Sequence, residues 1–267
     1  MHFSTKNQFY IVPDIKQLDR SLALAEKYDL GFEANDFWGP EMLDNEEETE
    51  NRIAIYRNVL SEHPSITMTN HGDFFDVILF STDPLIREIA QKRIRQSIDV
   101  SLKLGAHAVI FHTNHSPQLK AKFYLMNWQK RNEEFFSAML SEYPDINIYI
   151  ENMFDDTPEV LAGLAECLKG YDNFGVCLDY AHASAFGKRV SMKEWVGMLH
   201  PYVKHLHIND NNLINDLHLA VGDGKIDWLQ FKEYYNMYFK ECTTLIETSS
   251  LENQLKSLQY MQKIGLI

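Results

Sequence analysis

The stretch FGVCLDYAH, residues Phe174 to His182, joins two signals. Phe174–Leu178 is a short apolar run with the length and composition of a buried strand. It ends on an acid, Asp179, with His182 three residues further on. Outward from this point the same arrangement recurs: a short β-rich run, a polar residue at its end, then a longer segment of helical period. That alternation is the pattern of βα units around a parallel sheet. The runs are Gln8–Val12, Gly31–Asn35, Ile66–Asn70, Ala106–Phe111, Asn147–Ile150, Phe174–Leu178, Val203–Ile208 and Thr243–Ile246. The helical segments are Ile15–Tyr28, Glu46–Ser61, Pro84–Leu104, Ala121–Glu142, Pro158–Lys169, Met192–Leu199, Trp228–Phe239 and Leu251–Lys263. Eight pairs predict an α/β fold, a single (β/α)8 TIM barrel formed by residues 1–267 as one domain.

Local signals agree with these bounds. Asp83-Pro84 and Thr157-Pro158 each place a capping oxygen before a first-turn proline. Leu104-Gly105 and Lys169-Gly170 end two helices on a glycine suited to a left-handed cap. The acidic stretch Glu41–Glu50 reads as a solvated helix start, where carboxylates favour the positive end of the dipole.

Composition narrows the partners. A chain of 267 residues with 45% hydrophobic content can bury one large core, and a formal charge of −13 opposes a general attraction to nucleic-acid backbones. The N-terminus MHFSTKNQFY lacks a basic region followed by an apolar run, and no later stretch nears the roughly 20 apolar residues of a membrane span. A soluble, cytoplasmic protein is expected, with no membrane partner. Cys167, Cys177 and Cys242 have no paired spacing and read as buried packing in a reducing compartment. The sequence leaves open whether the chain works as a homodimer.

In a β/α barrel the chemistry sits where strands end. Here the strands run into His71 (TMTNHGD), His112 (VIFHTNH), Glu151 (IYIEN), Asp179 (VCLDYAH), His207 (HLHIND) and Glu247 (LIET). His182 follows Asp179, and NDLHLAVGDG supplies Asp216 and His218, a D-x-H pair that extended backbone would turn to one side. One such histidine would ordinarily be a hydrogen-bonded core residue. Nine nitrogen and oxygen donors brought to one rim suit zinc, manganese, cobalt or iron. They exceed the needs of one ion, so one to three divalent ions per chain are expected, with zinc or manganese first. His205 shares the strand parity of His207, and the residues alone do not choose between them. No serine–histidine–aspartate order, phosphate-binding glycine loop or dinucleotide fingerprint is present, so no nicotinamide or nucleotide cofactor is implied.

Over essentially the whole chain these residues resemble the xylose isomerase-like barrels, which include sugar and sugar-phosphate isomerases and epimerases as well as endonuclease IV. The stretches that carry the resemblance are GVCLDYAHASAFG, HLHIND with DLHLAVGDGKIDW, and IEN and IET. It implies a shared core of Glu151, Asp179, His207 and Glu247 around one divalent ion. It selects His207 over His205. In epimerase-type members the strand-five and strand-eight glutamates also move protons at carbon. The endonuclease-type members add His71 and His112 for a second ion bridged by Glu151, and His182, Asp216 and His218 for a third.

Two functions follow as expectations. The first is a metal-dependent isomerase or epimerase of a small sugar or sugar phosphate, working through an enediolate with Glu151 and Glu247 as the catalytic pair. His182, Lys188, Arg189 and Glu33 are its candidate substrate contacts, with Glu33 alternatively a barrel-interior carboxylate and Lys188 and Arg189 alternatively solvated surface. The second is an endonuclease IV-like multi-zinc phosphodiesterase using all nine ligands. A non-catalytic metal-binding barrel is the third reading. Against DNA repair stand the short stretch between HIND and DLH, which carries no arginine, Phe74 where the nuclease pattern has a tyrosine, and GFEANDF on strand two. Trp38, Phe74, Phe75 and Trp128 are expected either to line a sugar pocket or to pack as core or lid, and His115 is expected to be exposed, with support of a ligating residue as its alternative.

Overall fold

The structure, a computed structural model, describes residues 7–248 and 250–267. The reading of the N-terminus over its first six residues lies outside the described residues. Eight parallel strands close on themselves in sequence order, with β1 (Phe9–Ile11) pairing both β2 (Leu30–Ala34) and β8 (Thr243–Ile246). Between them come β3 (Met68–His71), β4 (Ala108–His112), β5 (Asn147–Glu151), β6 (Phe174–Asp179) and β7 (Val203–Ile208). The expected (β/α)8 TIM barrel is the fold.

The helices are α1 (Leu18–Tyr28), α2 (Pro40–Leu43), α3 (Glu46–Glu62), α4 (Pro84–Leu104), α5 (Lys122–Glu142), α6 (Glu159–Leu168), α7 (Tyr180–Ala185), α8 (Met192–Leu199), α9 (Trp228–Tyr234) and α10 (Leu251–Lys263). The first expected helix begins as a 3-10 turn at Ile15–Gln17, and the one from Trp228 ends as a π turn at Tyr235–Phe239. Asn45 caps α3, whose first turn holds Glu46, Glu47 and Glu48, as the acidic stretch predicts. Asp83 accepts from the backbone N–H of Leu85, and Gly105 caps α4 with φ 77°.

Two of the expected caps are not formed. Pro158 is itself the cap residue of α6 and Thr157 makes no capping bond, while α6 ends on Lys169 in right-handed geometry, so Gly170 is not a left-handed cap. Two helices, α2 and α7, are absent from the sequence-based expectation. Both are too short to show a period, and α7 matters because it carries His182.

Most of the apolar core lies between barrel and helices, from Phe32, Met68 and Val109 on the strands to Ile94, Phe136 and Leu164 on the helices. The barrel interior is a smaller cluster of Ala108, Ile110, Tyr149 and Cys177. Tyr10 fills this interior beside Gly31, where any Cβ would run into its ring. Cys177 and Cys242 are buried as expected, but Cys167 is exposed on α6. Among the described residues no helix is long and apolar enough to cross a membrane.

Candidate metal centre

The strand ladders bring the polar strand ends level. His112 is the register partner of Glu151, and Asp179 that of His207. Register partners share a face of the sheet, so each pair points to the same side. The second pairing depends on a shift between Val176 and Cys177, where the β6–β7 register moves from Val176–Val203 to Cys177–His205 past exposed Lys204. Without the extra residue Asp179 would face Leu206, whose side chain points the other way.

Glu151 is the hub of the mouth. Its Oε2 lies 3.5 Å from Nε2 of His71, 3.5 Å from Nε2 of His112 and 3.3 Å from Nδ1 of His207. Its Oε1 lies 3.5 Å from Nδ1 of His182. Glu247 Oε2 is 3.4 Å from His207 Nδ1 on the other side. At the rim, Asp216 Oδ2 sits 2.8 Å from His218 Nε2 and 3.3 Å from His182 Nε2.

Three groups therefore hold ligand atoms within 4.8 Å of one another: His71, Glu151 and His207; Glu151, Asp179, His207 and Glu247; and His182, Asp216 and His218. They contain eight of the nine expected ligands. His112 is in none of them, although its ring lies 4.9 Å from that of His71 and it touches Glu151. A deeper group of Cys177, His205 and His207 lies in the barrel interior.

The donors are oriented for cations. Nδ1 of His71 donates to Gly72 O, Nδ1 of His182 to Asn152 O and Nδ1 of His218 to Glu247 O, each at 3.0 Å. Fixing the proton on Nδ1 leaves the Nε2 lone pair for a metal. His207 is turned round: Nδ1 faces Glu151 and Glu247, and Nε2 faces Glu33 Oε1 at 3.2 Å. Both oxygens of Glu151, Asp179 Oδ2, Asp216 Oδ1 and Glu247 Oε2 are buried without a hydrogen-bond partner. Orphaned carboxylate oxygens in a dry cavity are costly unless a cation takes them. The residues thus fit the binding of divalent metal.

Electrostatics say the same. Burial pushes Asp179 up to about 7, with the charges of Glu151 and Glu247 adding to it against the pull of His182. Burial also works against ionised Glu151, but His207 and His112 outweigh it and hold the carboxyl well below its usual range. Burial would lower His218, yet the hydrogen bond to Asp216 and the charge of Glu247 raise it to about 10. Against burial, His182 is raised well above the usual imidazole range by Asp179, Asp216 and Glu151, and His207 by Cys177, Glu151, Glu33 and Glu247. In the metal-free chain, protons on the imidazoles do the neutralising.

Local structure explains each placement. Asp179 is the N-cap of α7, its Oδ1 accepting from the backbone N–H of His182 at 2.5 Å, which brings the two side chains together and leaves Oδ2 free. Asn152 brackets Asp179 from behind, Nδ2 donating to its carbonyl and Oδ1 accepting from its N–H. The D-x-H pair meets differently from expectation. His218 takes φ 47°, and Leu219 pairs back antiparallel with Asp210, so a bent loop rather than extended backbone joins Asp216 to His218.

Glu33 lies within the barrel and not on an open surface. Its Oε2 accepts from Thr69 Oγ1 at 2.7 Å and sits 3.2 Å from His205 Nε2. His205 is thereby separated from His207: it lies two residues deeper on β7 and its Nδ1 contacts Thr243 Oγ1 at 2.6 Å. Lys188 and Arg189 are both exposed between α7 and α8. Lys188 borders a separate hollow with Tyr180 and Gln230, while Arg189 pairs with Asp156 at 2.9 Å beside the mouth. His115 is buried, contrary to expectation, with Nδ1 3.3 Å from Asp155 Oδ1. Trp128 is core, whereas Trp38, Phe74 and Phe75 form a partly exposed aromatic rim. Asn152 is a supporting residue that strand-end reasoning misses, although it adjoins Glu151 in IEN.

The family model described as the xylose isomerase-like TIM barrel matches residues 23–263. An uncharacterized protein of Methanocaldococcus jannaschii is 25% identical over 218 residues, 78% of this chain and 73% of that protein. A probable endonuclease 4 of Aquifex aeolicus is 26% identical over 196 residues, 66% of this chain and 68% of its own. Among solved structures, a Thermus thermophilus protein soaked with zinc chloride aligns with a TM-score of 0.76 at 20% identity, over 97% of this chain and 98% of that one. A D-tagatose 3-epimerase-like protein aligns with a TM-score of 0.74 at 22% identity, over 97% of each chain. With residues 23–263 matched by the family model, strands closed into the same barrel and the ligand set gathered at its mouth, the chain belongs to the xylose isomerase-like TIM barrel family.

Proposed function

We propose that this chain is a multinuclear metal-dependent phosphoester hydrolase, the second of the two enzymatic readings of its sequence. The observation that carries the proposal is the set of three ligand groups at one mouth, two of them sharing Glu151 and His207. Proton transfer at a sugar carbon needs only Glu151, Asp179, His207 and Glu247. It gives no task to His71, Asp216 and His218 and leaves His182 only a substrate contact, whereas His71, His182 and His218 each have Nδ1 bonded to a backbone carbonyl, which turns Nε2 towards the acids of the mouth. Glu151, enclosed by four imidazoles, is also poorly placed to collect a proton from carbon. The similarity to a probable endonuclease 4 supports the same reading.

Bound divalent ions in such a centre would supply a water-derived nucleophile near neutral pH and neutralise charge on the phosphoryl oxygens. The protein's part is placement. Glu151 holds the two deep groups together, Asp216 gathers His182 and His218 at the rim, and the aromatic wall of Phe74 beside His71 and His112 limits water. The epimerase reading keeps one specific point in its favour, the presence of Glu151 and Glu247 in a single four-ligand group.

The test sets the two side by side. The zinc-loaded and manganese-loaded protein is assayed for hydrolysis of bis(p-nitrophenyl) phosphate, and for uptake of solvent deuterium into ketohexoses. Hydrolysis that Asp216→Ala abolishes is the expected result. Deuterium uptake without hydrolysis would replace this proposal with the epimerase reading.

A further inference from the structure

A cleft of about 870 Å³ opens beside the centre, walled by the loops after β3, β4, β5 and β6. Phe75, Phe154 and Phe186 supply its ring faces, and Lys120, Asp156 and Arg189 its charged groups. Two of its lining rings pack towards the centre. The Phe186 ring lies 6.0 Å from the ring of His182, and the Phe75 ring lies 4.4 Å from that of Phe74, which itself touches His71 and His112. Phe75 and Phe154 are 55% and 48% exposed, so both present ring surface that a flat ligand can stack on.

The polar edge is ordered. Asp156 accepts from Lys120 Nζ at 2.6 Å and from Arg189 at 2.9 Å, fixing two donors and one acceptor side by side. With Asp76 also in the lining, the formal charges of the Lys, Arg and Asp side chains cancel. A surface for duplex DNA would be strongly positive. A neutral cleft of small-molecule volume instead recognises its ligand by ring faces and hydrogen bonds, leaving the phosphate to the metal centre.

We infer that the substrate is a small phosphate ester whose organic group is a flat heteroaromatic ring, of nucleotide size, seated between Phe75 and Phe154 with its polar edge on Lys120, Asp156 and Arg189. This inference rests on the phosphoester reading and narrows it. The ring separates it from a bare sugar phosphate, and the charge balance separates it from a DNA duplex.

Calorimetric titration of the zinc-loaded protein with AMP and with ribose 5-phosphate isolates the ring, since both carry the same sugar and phosphate. AMP should bind about tenfold tighter, the scale of one base stacking on an aromatic face. In Phe75→Ala/Phe154→Ala, two exposed positions whose loss leaves the core intact, the preference should fall to about twofold, with metal content checked in the same sample. Equal affinity for the two ligands, or a preference that survives the double substitution, overturns the inference while leaving phosphoester hydrolysis standing. Tighter binding of abasic duplex DNA with a steep salt dependence overturns it in favour of nucleic acid. If neither ligand binds and bis(p-nitrophenyl) phosphate is not hydrolysed, the inference and the proposed function fall together.

Discussion

Glu33 shows what one residue can and cannot reveal. In sequence it is an acid on strand two and a candidate to touch substrate; in the barrel it stands behind His207, shared with Thr69 and His205. Strand parity predicts that it points inward but says nothing of depth, and depth decides between ligand, support and substrate contact. We therefore expect Glu33→Gln to weaken metal binding about tenfold or more, as loss of a carboxylate behind a ligating histidine does, measured by competition with a chromophoric chelator. An unchanged affinity would remove Glu33 from that role. The histidines give a second test. His218 holds its proton to about 10 in the folded chain against 6.5 for a free imidazole. Its contribution to stability is fully present below 6.5 and is lost as pH rises through the folded value. His182 and His207 act with the same sign, and His112 and His205, held down chiefly by burial, are neutral across this window. Melting of the chelator-treated protein should thus fall as pH rises from 6.5 towards 10, and saturating zinc should flatten the slope. A metal-free profile without slope would mean that the imidazoles are not neutralising the acids.

At the scale of elements, the strands were legible because apolar runs and polar ends repeat eight times. Val203–Ile208 and Thr243–Ile246 match the sequence reading residue for residue, and Pro84–Leu104, Met192–Leu199 and Leu251–Lys263 do so among the helices. The β6–β7 register shift was not legible, because it is a property of two strands together and Lys204 looks like any solvent-facing residue. Nor was α7, a helix of six residues that exists because Asp179 caps it. That cap separates two functions of one side chain. Asp179→Asn keeps a capping oxygen and removes a charge from a crowded set of acids, so the metal-free variant should melt at or above the parent. Asp179→Ala loses the cap, worth about 1 kcal/mol, and should melt about 2–4 °C below Asp179→Asn. Both should lose metal from the four-ligand group. Equal melting of the two variants would show that the cap contributes nothing.

The whole molecule is built around its acidity. A formal charge of −13 discourages polyanion partners, and part of it converges on a mouth whose buried carboxylate oxygens lack hydrogen-bond partners. Six of the candidate ligands were readable because a closed barrel delivers every strand end to one rim, while His182, Asp216 and His218 were readable only from the motifs that follow strands six and seven. The aromatic cleft was not, since its walls come from four loops whose meeting no local pattern encodes. The central claim is that this rim is a multinuclear metal centre. The measurement that tests it most directly is metal content per chain by elemental analysis, on protein purified without chelator and on its His71→Ala/His218→Ala variant. We predict about three divalent ions in the parent, one on Glu151, Asp179, His207 and Glu247, one on His71 and His112 beside Glu151, and one on His182, Asp216 and His218, and about one in the variant. A single ion in both would contradict the claim and reduce the site to Glu151, Asp179, His207 and Glu247.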